Sequence, residues 1–371
     1  MAKSPPAPAS TFSMKDWFNA DRYHTIADQL TAVDPGFDRK RFLQLTLDGL
    51  ESRELMDRMR QTARAAALTL SGAVRKQIAT LRRIAPQTDH GFVGIWFAEF
   101  VANEALDQPD LALPALHFFT RYGSAEFAIR RFIVRDPGAT LARMQPWTQD
   151  DNEHVRRLAS EGARPRLPWG VRLDALIADP TPTRPILEAL KADSSLYVRK
   201  SVANHLNDIA KDHADYVVAW CAPWQSLGPD SAWIVRHGLR TLIKRGHPGA
   251  LKIVGAGADA KVDITTFAAT PTTVTLGGSL QIDLHLASLA RGDQTLIIDY
   301  VVHYVKASGK ASPKVFKWKQ LSLKASERIT LRKHQTIRDF TTRRHHAGHH
   351  LVELQINGQR LAETHFELKL K

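Results

Sequence analysis

HVRRLA, at His154–Ala159, reads as a helix opening, and the same opening returns as YVRKSVA at Tyr197–Ala203 and as WIVRHGL at Trp233–Leu239. Arg156, Arg199 and Arg236 each follow a valine, at intervals of 43 and 37 residues. A weaker copy, FAIRR, stands at Phe127–Arg131. A helix start repeated every ~40 residues predicts helical pairs stacked as a HEAT-type solenoid, each pair covering a face its neighbour cannot bury alone. Solenoids of this kind present a concave surface. Here the repeated position is cationic, which suits a duplex.

Outward from these repeats the chain keeps a helical period as far as about residue 260. Gln61–Arg82 sets Ala, Leu and Val at three-and-four spacing, and Val93, Trp96, Phe97, Phe100 and Val101 form one stripe. Asp136-Pro137 and Asp179-Pro180 mark places where helices stop. Beyond residue 260 the pattern alternates. Leu280, Ile282, Leu284 and Leu286 face one way, as do Leu296, Ile298, Tyr300, Val302 and Tyr304. Phe316 and Trp318 continue the period, and Asn357-Gly358 signals a hairpin before a run ending in Phe366, Leu368 and Leu370. About seven short strands predict an immunoglobulin-like sandwich without a disulfide. The expected organisation is an arm at 1–12, an all-α repeat domain at 13–257, a flexible linker at 258–263 around Gly255–Asp259, and an all-β sandwich at 264–371.

The 371 residues are 43% hydrophobic, too apolar for a disordered chain. No segment approaches the ~18 consecutive apolar residues of a membrane span, and MAKSPPAPAS at the start lacks the apolar stretch of a signal peptide. The single cysteine, Cys221, lies between Trp220 and Trp224, excludes an intrachain disulfide and a thiolate zinc site, and reads as a buried, inert thiol in a reducing compartment. A cytoplasmic, nucleoid-associated monomer is the expectation. Charge is more informative. Lys and Arg number 51 against 38 acids, a net +13, which points to a polyanion. The Lys306–Arg344 stretch holds twelve Lys and Arg but two acids, Glu327 and Asp339. Lys317 and Lys319 alternate with the core-directed Phe316 and Trp318, so with Arg343 and Arg344 they are candidate phosphate contacts, and the domain is expected to close over a DNA backbone.

Three acids interrupt the cationic repeats. Glu126 stands among Arg121, Arg130 and Arg131; Glu161 among Arg156, Arg157, Arg164 and Arg166; Asp208 follows Arg199 and Lys200. Equivalent faces of stacked helices align, so the three can converge in one groove. A carboxylate facing phosphates is repulsive unless it stabilises a developing cation, such as the oxocarbenium-like sugar formed when an N-glycosidic bond breaks. Spacing alone equally allows ordinary helix-surface pairs, since Glu126/Arg130 and Arg157/Glu161 are four residues apart. Trp147 and Trp169 are open to the same plain reading, as core.

VRRLASEGARPRLPW, Val155–Trp169, shifts the balance, with RYGSAE at Arg121–Glu126, VRKSVANHLND at Val198–Asp208 and Ala347–Gly358 beside it. These segments resemble the AlkC branch of the HEAT-like-repeat DNA alkylation-repair glycosylases, over residues 13–371. The resemblance implies a monofunctional glycosylase releasing cationic N3-alkylated bases, chiefly 3-methyladenine and also 3-methylcytosine, from duplex DNA without flipping the base. It implies Glu161 and Glu126 as catalytic carboxylates, Asp208 as a third active-site acid, Trp169 packed near the lesion's sugar, and Arg157 as a positioning or backbone contact. Arg156, Arg157, Arg164, Arg166, Arg199, Lys200 and Arg236 complete the candidate DNA-binding set. A cationic base is already a good leaving group, so a site without an evident proton donor suffices.

Other chemistry is weakly signalled. His345, His346, His349 and His350 would divide between two strand faces with no Cys or acid to complete a metal set. Gly277-Gly278 sits in a strand turn rather than a phosphate loop, and no lysine is marked for Schiff-base chemistry. No metal or cofactor is expected. The competing reading is a non-enzymatic HEAT adaptor for nucleic acid or an acidic partner.

Overall fold

A computed structural model describes residues 13–89, 91–257, 259–340 and 344–370. The expected arm at 1–12, Ala258 of the expected linker, and Arg343 lie outside the described residues. The architecture is the expected one, a helical-repeat region followed by an immunoglobulin-like sandwich.

Helix ends follow local chemistry. Asn152 accepts a hydrogen bond from the His154 N–H and caps the Glu153–Gly162 helix; Ser195 does the same from the Tyr197 N–H for Leu196–Ile209. Asp136 ends the Glu126–Arg135 helix and caps Pro137–Met144. The helical run at 61–82 is two helices, Leu55–Thr69 and Val74–Ile84, parted at Gly72, whose φ of +81° breaks the period. The stripe at 93–101 belongs to Ile95–Glu104, which is buried all round from Ile95 to Ala102 rather than amphipathic.

The third repeat differs from its reading. Trp233–Leu239 does not open a helix but closes Pro229–Gly238, because Gly228-Pro229 has already started it. Arg156 and Arg199 are true equivalents: each sends Nη1 back to the carbonyls five and six residues earlier, Asp151 and Asp150 in one case, Ser194 and Asp193 in the other. The repeated arginine fastens the loop that enters its own helix, and Arg236 has no such place.

Eight strands lie among the described residues: β1 (Val262–Thr270), β2 (Thr273–Thr275), β3 (Ser279–Ser288), β4 (Gln294–Val305), β5 (Ala311–Leu323), β6 (Arg328–Thr336), β7 (Gly348–Ile356) and β8 (Gln359–Lys369). They form sheets ordered β1-β3-β6 and β2-β8-β7-β4-β5, antiparallel except for β2 with β8. Leu280, Ile282, Tyr300, Val302, Val352 and Phe366 pack between them. Asn357-Gly358 turns β7 into β8 with φ of +47° and +84°, as a two-residue hairpin requires.

The boundary differs from the expected linker. The chain divides into compact units at 1–212 and 213–371, so the helices from Ala214 to Ile253 pack with the sandwich. β4 is buried without a break from Leu296 to Val302, hence on both faces, and alternation reveals only the face turned to the other sheet. Ile297 on the second face joins Leu251 and Ala256 in a buried cluster. Asn357 Nδ2 donates to the Gly257 carbonyl at 2.8 Å and Gln355 Nε2 to that of Lys244 at 2.8 Å. A Cβ on Gly358 would stand 2.0 Å from the Gly246 Cα, so only glycines allow the approach.

Asp299 is sealed on that second face, and burial pushes its carboxyl up to about 6, against the pull of Lys244 and Lys317. The folded chain therefore keeps a proton that the unfolded chain has lost between about pH 4 and 6, so stability falls as pH rises through that window. Asp299→Asn should stabilise the protein on the order of 2 kcal/mol at pH 8 and scarcely at pH 4. Urea melts at the two pH values check this; an equal effect at both would contradict it.

Candidate active site

Helices Glu126–Arg135, Glu153–Gly162 and Leu196–Ile209 carry the three acids. The first two approach closely at Gly162, where a Cβ would lie 2.5 Å from Ile129 Cγ2. Glu126 and Glu161 line a cleft of about 660 Å³, together with Ser124, Arg157, Arg164, Trp169 and Tyr197. Asp208 does not line it. It is 2% exposed and stands behind Arg164.

The acids are joined by alternating cations. Arg157 Nη1 pairs with Glu126 Oε2, and its Nη2 lies 3.4 Å from Glu161 Oε1. Arg164 Nη1 donates to the same Glu161 oxygen at 2.6 Å, while its Nε and Nη2 reach Asp208 Oδ2 at 2.9 Å. Lys211 occupies the other Asp208 oxygen at 2.9 Å. Ser124 Oγ donates to Glu126 at 2.9 Å and accepts from Arg157 at 2.9 Å. Both Asp208 oxygens are thus taken, whereas the contacts of Glu161 with Arg157 and Arg164 both fall on Oε1. Burial opposes the Arg157 charge, but Glu126 and Glu161 more than offset it and hold the guanidinium above its ordinary value. Tyr197 spreads its ring 5.0 Å from the Arg157 Cζ, and burial raises its phenol.

His154, Tyr122 and Tyr197 are the cleft-lining side chains with dissociable protons, and His154 stands edge-on to Tyr197. His205 is fully buried with Nδ1 on the Ser160 carbonyl at 3.0 Å; burial, then the charge of Arg164, drive it down to about 3. It is neutral at physiological pH and supplies no acid. The thiol of Cys221 is buried and pushed up to about 12, as suits an inert cysteine. The C-terminal histidines go separate ways: His345 to Asp339, His349 to Glu367, and His350 into a stack on Phe366. No cluster of three or more metal-ligating side chains occurs among the described residues.

Trp169 is 66% exposed at the cleft with a φ of +64°. A bulky side chain in the left-handed region costs about 1–3 kcal/mol and persists only where its surroundings impose it. This is a rim aromatic, while Trp147 is core.

The expected cations separate into two groups. Arg156 clamps Asp193 at 2.7 and 3.1 Å, Arg199 holds its loop, Arg164 is buried between two acids, and Arg166 chelates Asp212 at 2.9 Å. These are internal attachments. Lys200, Arg236, Lys317, Lys319 and Arg344 are exposed. The pair Arg157/Glu161 forms; Glu126/Arg130 does not, because Arg130 turns inward. Ser124 and Tyr197 are additions that spacing does not mark.

Paired carboxylates in an aromatic-rimmed cleft of a helical-repeat region, followed along the chain by an immunoglobulin-like sandwich, define a HEAT-like-repeat protein of two-part architecture. A family model described as "Uncharacterised protein YhaZ, C-terminal Ig-like domain" matches residues 263–370. "Uncharacterized protein YhaZ" of Bacillus subtilis (strain 168) is 36% identical over 347 residues, 93% of this chain and 96% of that protein. The structure of Pseudomonas fluorescens alkylpurine DNA glycosylase AlkC, bound to DNA containing an abasic site analogue, is 46% identical, covers 96% of this chain and 99% of its own, and superposes with a TM-score of 0.93. The chain belongs to the AlkC family.

Proposed function

We propose that this chain is an alkylpurine DNA glycosylase that hydrolyses the N-glycosidic bond of cationic N3-alkylated bases, 3-methyladenine first and 3-methylcytosine with it, in duplex DNA without flipping them. The observation that carries the reading is that Glu126 and Glu161 line one cleft and are bridged by Arg157. The likeness to a glycosylase structure along nearly the whole chain supports it.

The chemistry follows from charge. As the bond lengthens, the base leaves with the bonding pair and becomes neutral, while positive charge passes to the sugar. Glu126 and Glu161 present fixed negative charge to that sugar, and Glu161 Oε2 can hold the water that attacks it. Arginines 157 and 164 set these carboxylates in place, so little reorganisation accompanies the transfer. Trp169 covers the sugar. No general acid is required, because the leaving base already carries its charge.

No lysine faces the carboxylates from the cleft lining, so the reaction should stop at an abasic strand. Methylated duplex incubated with the chain should yield free 3-methyladenine and an unbroken abasic strand, in chelator as in its absence. A nicked product, or an adduct trapped by borohydride, would overturn the monofunctional reading.

The exposed lysines of β5 and Arg344 are proposed phosphate contacts. Lys317→Gln, Lys319→Gln and Arg344→Gln together should reduce the slope of log affinity against log salt by roughly 3, at ~0.9 per contact. An unchanged slope in the folded variant would show that this face never meets DNA.

A further inference from the structure

Arg130 is among the largest fully buried side chains of the protein, and it meets no carboxylate among the described residues. Its Nε donates to the Val171 carbonyl at 2.6 Å, and its Nη1 to the carbonyls of Gly162 and Arg164 at 3.0 and 2.7 Å. Nη2 is buried without a partner. Burial, then the like charge of Arg164, lower the guanidinium to about 10, so at neutral pH it is still a cation. An enclosed cation held by carbonyls alone is a costly way to fill space, and an apolar side chain of similar volume would pack at less expense.

All three carbonyls belong to one stretch of chain, from the end of the Glu153–Gly162 helix to Val171. Trp169 stands in its bend, in the left-handed conformation that isolated chain avoids. Two backbone bonds, Gly170 N–H to Leu167 and Leu173 N–H to Pro165, draw the rest of the bend together at 3.1 and 3.2 Å. Gly170 lies directly on the guanidinium: a Cβ there would be 3.1 Å from Arg130 Nε and 3.2 Å from Cδ. Both ends of the bend and its inner face therefore rest on one side chain. A guanidinium suits the task because its fork addresses several carbonyls at fixed angles, which an ammonium cannot do.

We infer that Arg130 is a positioning residue of the glycosylase reaction, which holds the Gly162–Val171 bend so that Trp169 stands at the cleft beside Glu126 and Glu161. The inference rests on the reading that Trp169 packs against the lesion's sugar. Arg130 itself touches neither DNA nor the reacting atoms. The charges of Asp208, Glu126 and Glu161 favour its cationic form against that burial.

The test compares single-turnover release of 3-methyladenine by full-length Arg130→Met, Arg130→Lys and Gly170→Ala, each alone and combined with Trp169→Ala. Arg130→Met and Arg130→Lys should release base about tenfold to a hundredfold more slowly, the effect of displacing a positioning group by about an ångström. Duplex affinity should stay within about twofold, a loss in kcat rather than in binding. In the Trp169→Ala background the Arg130 substitutions should add no further loss, because the group they position is gone. Acrylamide quenching of Trp169, taken as the difference from Trp169→Phe, should rise in Arg130→Met. If Arg130→Met does not fold, Gly170→Ala perturbs the same contact by one methyl group and keeps the charge. A full multiplicative loss on top of Trp169→Ala, or an unchanged rate in folded Arg130→Met, would overturn the inference. If the unaltered protein releases no base, the glycosylase reading fails instead, and the quenching difference still reports whether Arg130 holds Trp169.

Discussion

Glu161→Gln should leave the fold intact and lower 3-methyladenine release by about a hundredfold or more, the ~3 kcal/mol of a preorganised electrostatic group. The substitution keeps volume and removes charge. The amide oxygen can still accept from Arg164, so the helix end should hold, while an uncharged amide nitrogen takes the place of the second carboxylate oxygen. Glu126→Gln should cost a comparable or smaller amount, since Ser124 and Arg157 keep its side chain in place. Single-turnover rates decide the matter, with melting curves to confirm folding. Near-normal turnover in Glu161→Gln would remove this carboxylate from the chemistry and leave the reaction to other groups of the cleft.

The second large effect is at Arg164. Arg164→Met takes from Glu161 and Asp208, two buried carboxylates, the guanidinium they share and leaves them Arg157 and Lys211 alone, and it should destabilise the protein by about 3 kcal/mol. Base release should fall as well, because Glu161 loses the donor that orients it. The salt dependence of DNA binding should not change, because a side chain turned between two acids does not meet phosphate. Adding Asp208→Asn should restore part of the stability, since a buried charge that has lost one of its two partners is then removed, but not the activity. Urea titrations and salt series on the same proteins separate these outcomes. A reduced salt slope in Arg164→Met would return this arginine to the DNA-binding set.

Asp208 has a different standing from the two glutamates. With one oxygen on Arg164 and the other on Lys211, its access to the cleft is closed. In the proposed reaction its influence would pass through the orientation of Arg164.

Much of this was legible in the residues, and the exceptions share a physical cause. Leu280 to Leu286 and Leu296 to Tyr304 alternate because one face of each strand is core, and Asn357-Gly358 can hardly be anything but a hairpin turn. The Val-Arg openings at Arg156 and Arg199 revealed the helical repeat, but not the bonds by which these arginines hold their own entry loops. Spacing along a helix reports neighbours three and four residues away, and it did find Arg157/Glu161. It is blind to partners one repeat distant. Arg156 meets Asp193, Arg157 meets Glu126, and Arg164 meets Asp208, all separated by 31 to 44 residues. For the same reason Glu126/Arg130 looked like a pair, while Arg130 turned to carbonyls on another segment. Near residue 258 composition tells only part: Gly255–Asp259 has the look of a linker and β1 does begin at Val262, but β4 has a second apolar face, and Leu251 and Ala256 cover it. Convergence of the acids depended on the stacking of whole helices, and there the repeat pattern, rather than any one residue, carried the expectation.

The central claim is that Glu126 and Glu161 form the site of a glycosylase for cationic bases. Its most direct test is the time course of free 3-methyladenine released from a methylated duplex by the purified full-length protein, against spontaneous loss from the same DNA. The account predicts release far above the spontaneous rate from the intact chain, and a return towards that rate in Glu161→Gln. Release no faster than the spontaneous rate, from a folded protein that binds the duplex, would contradict it.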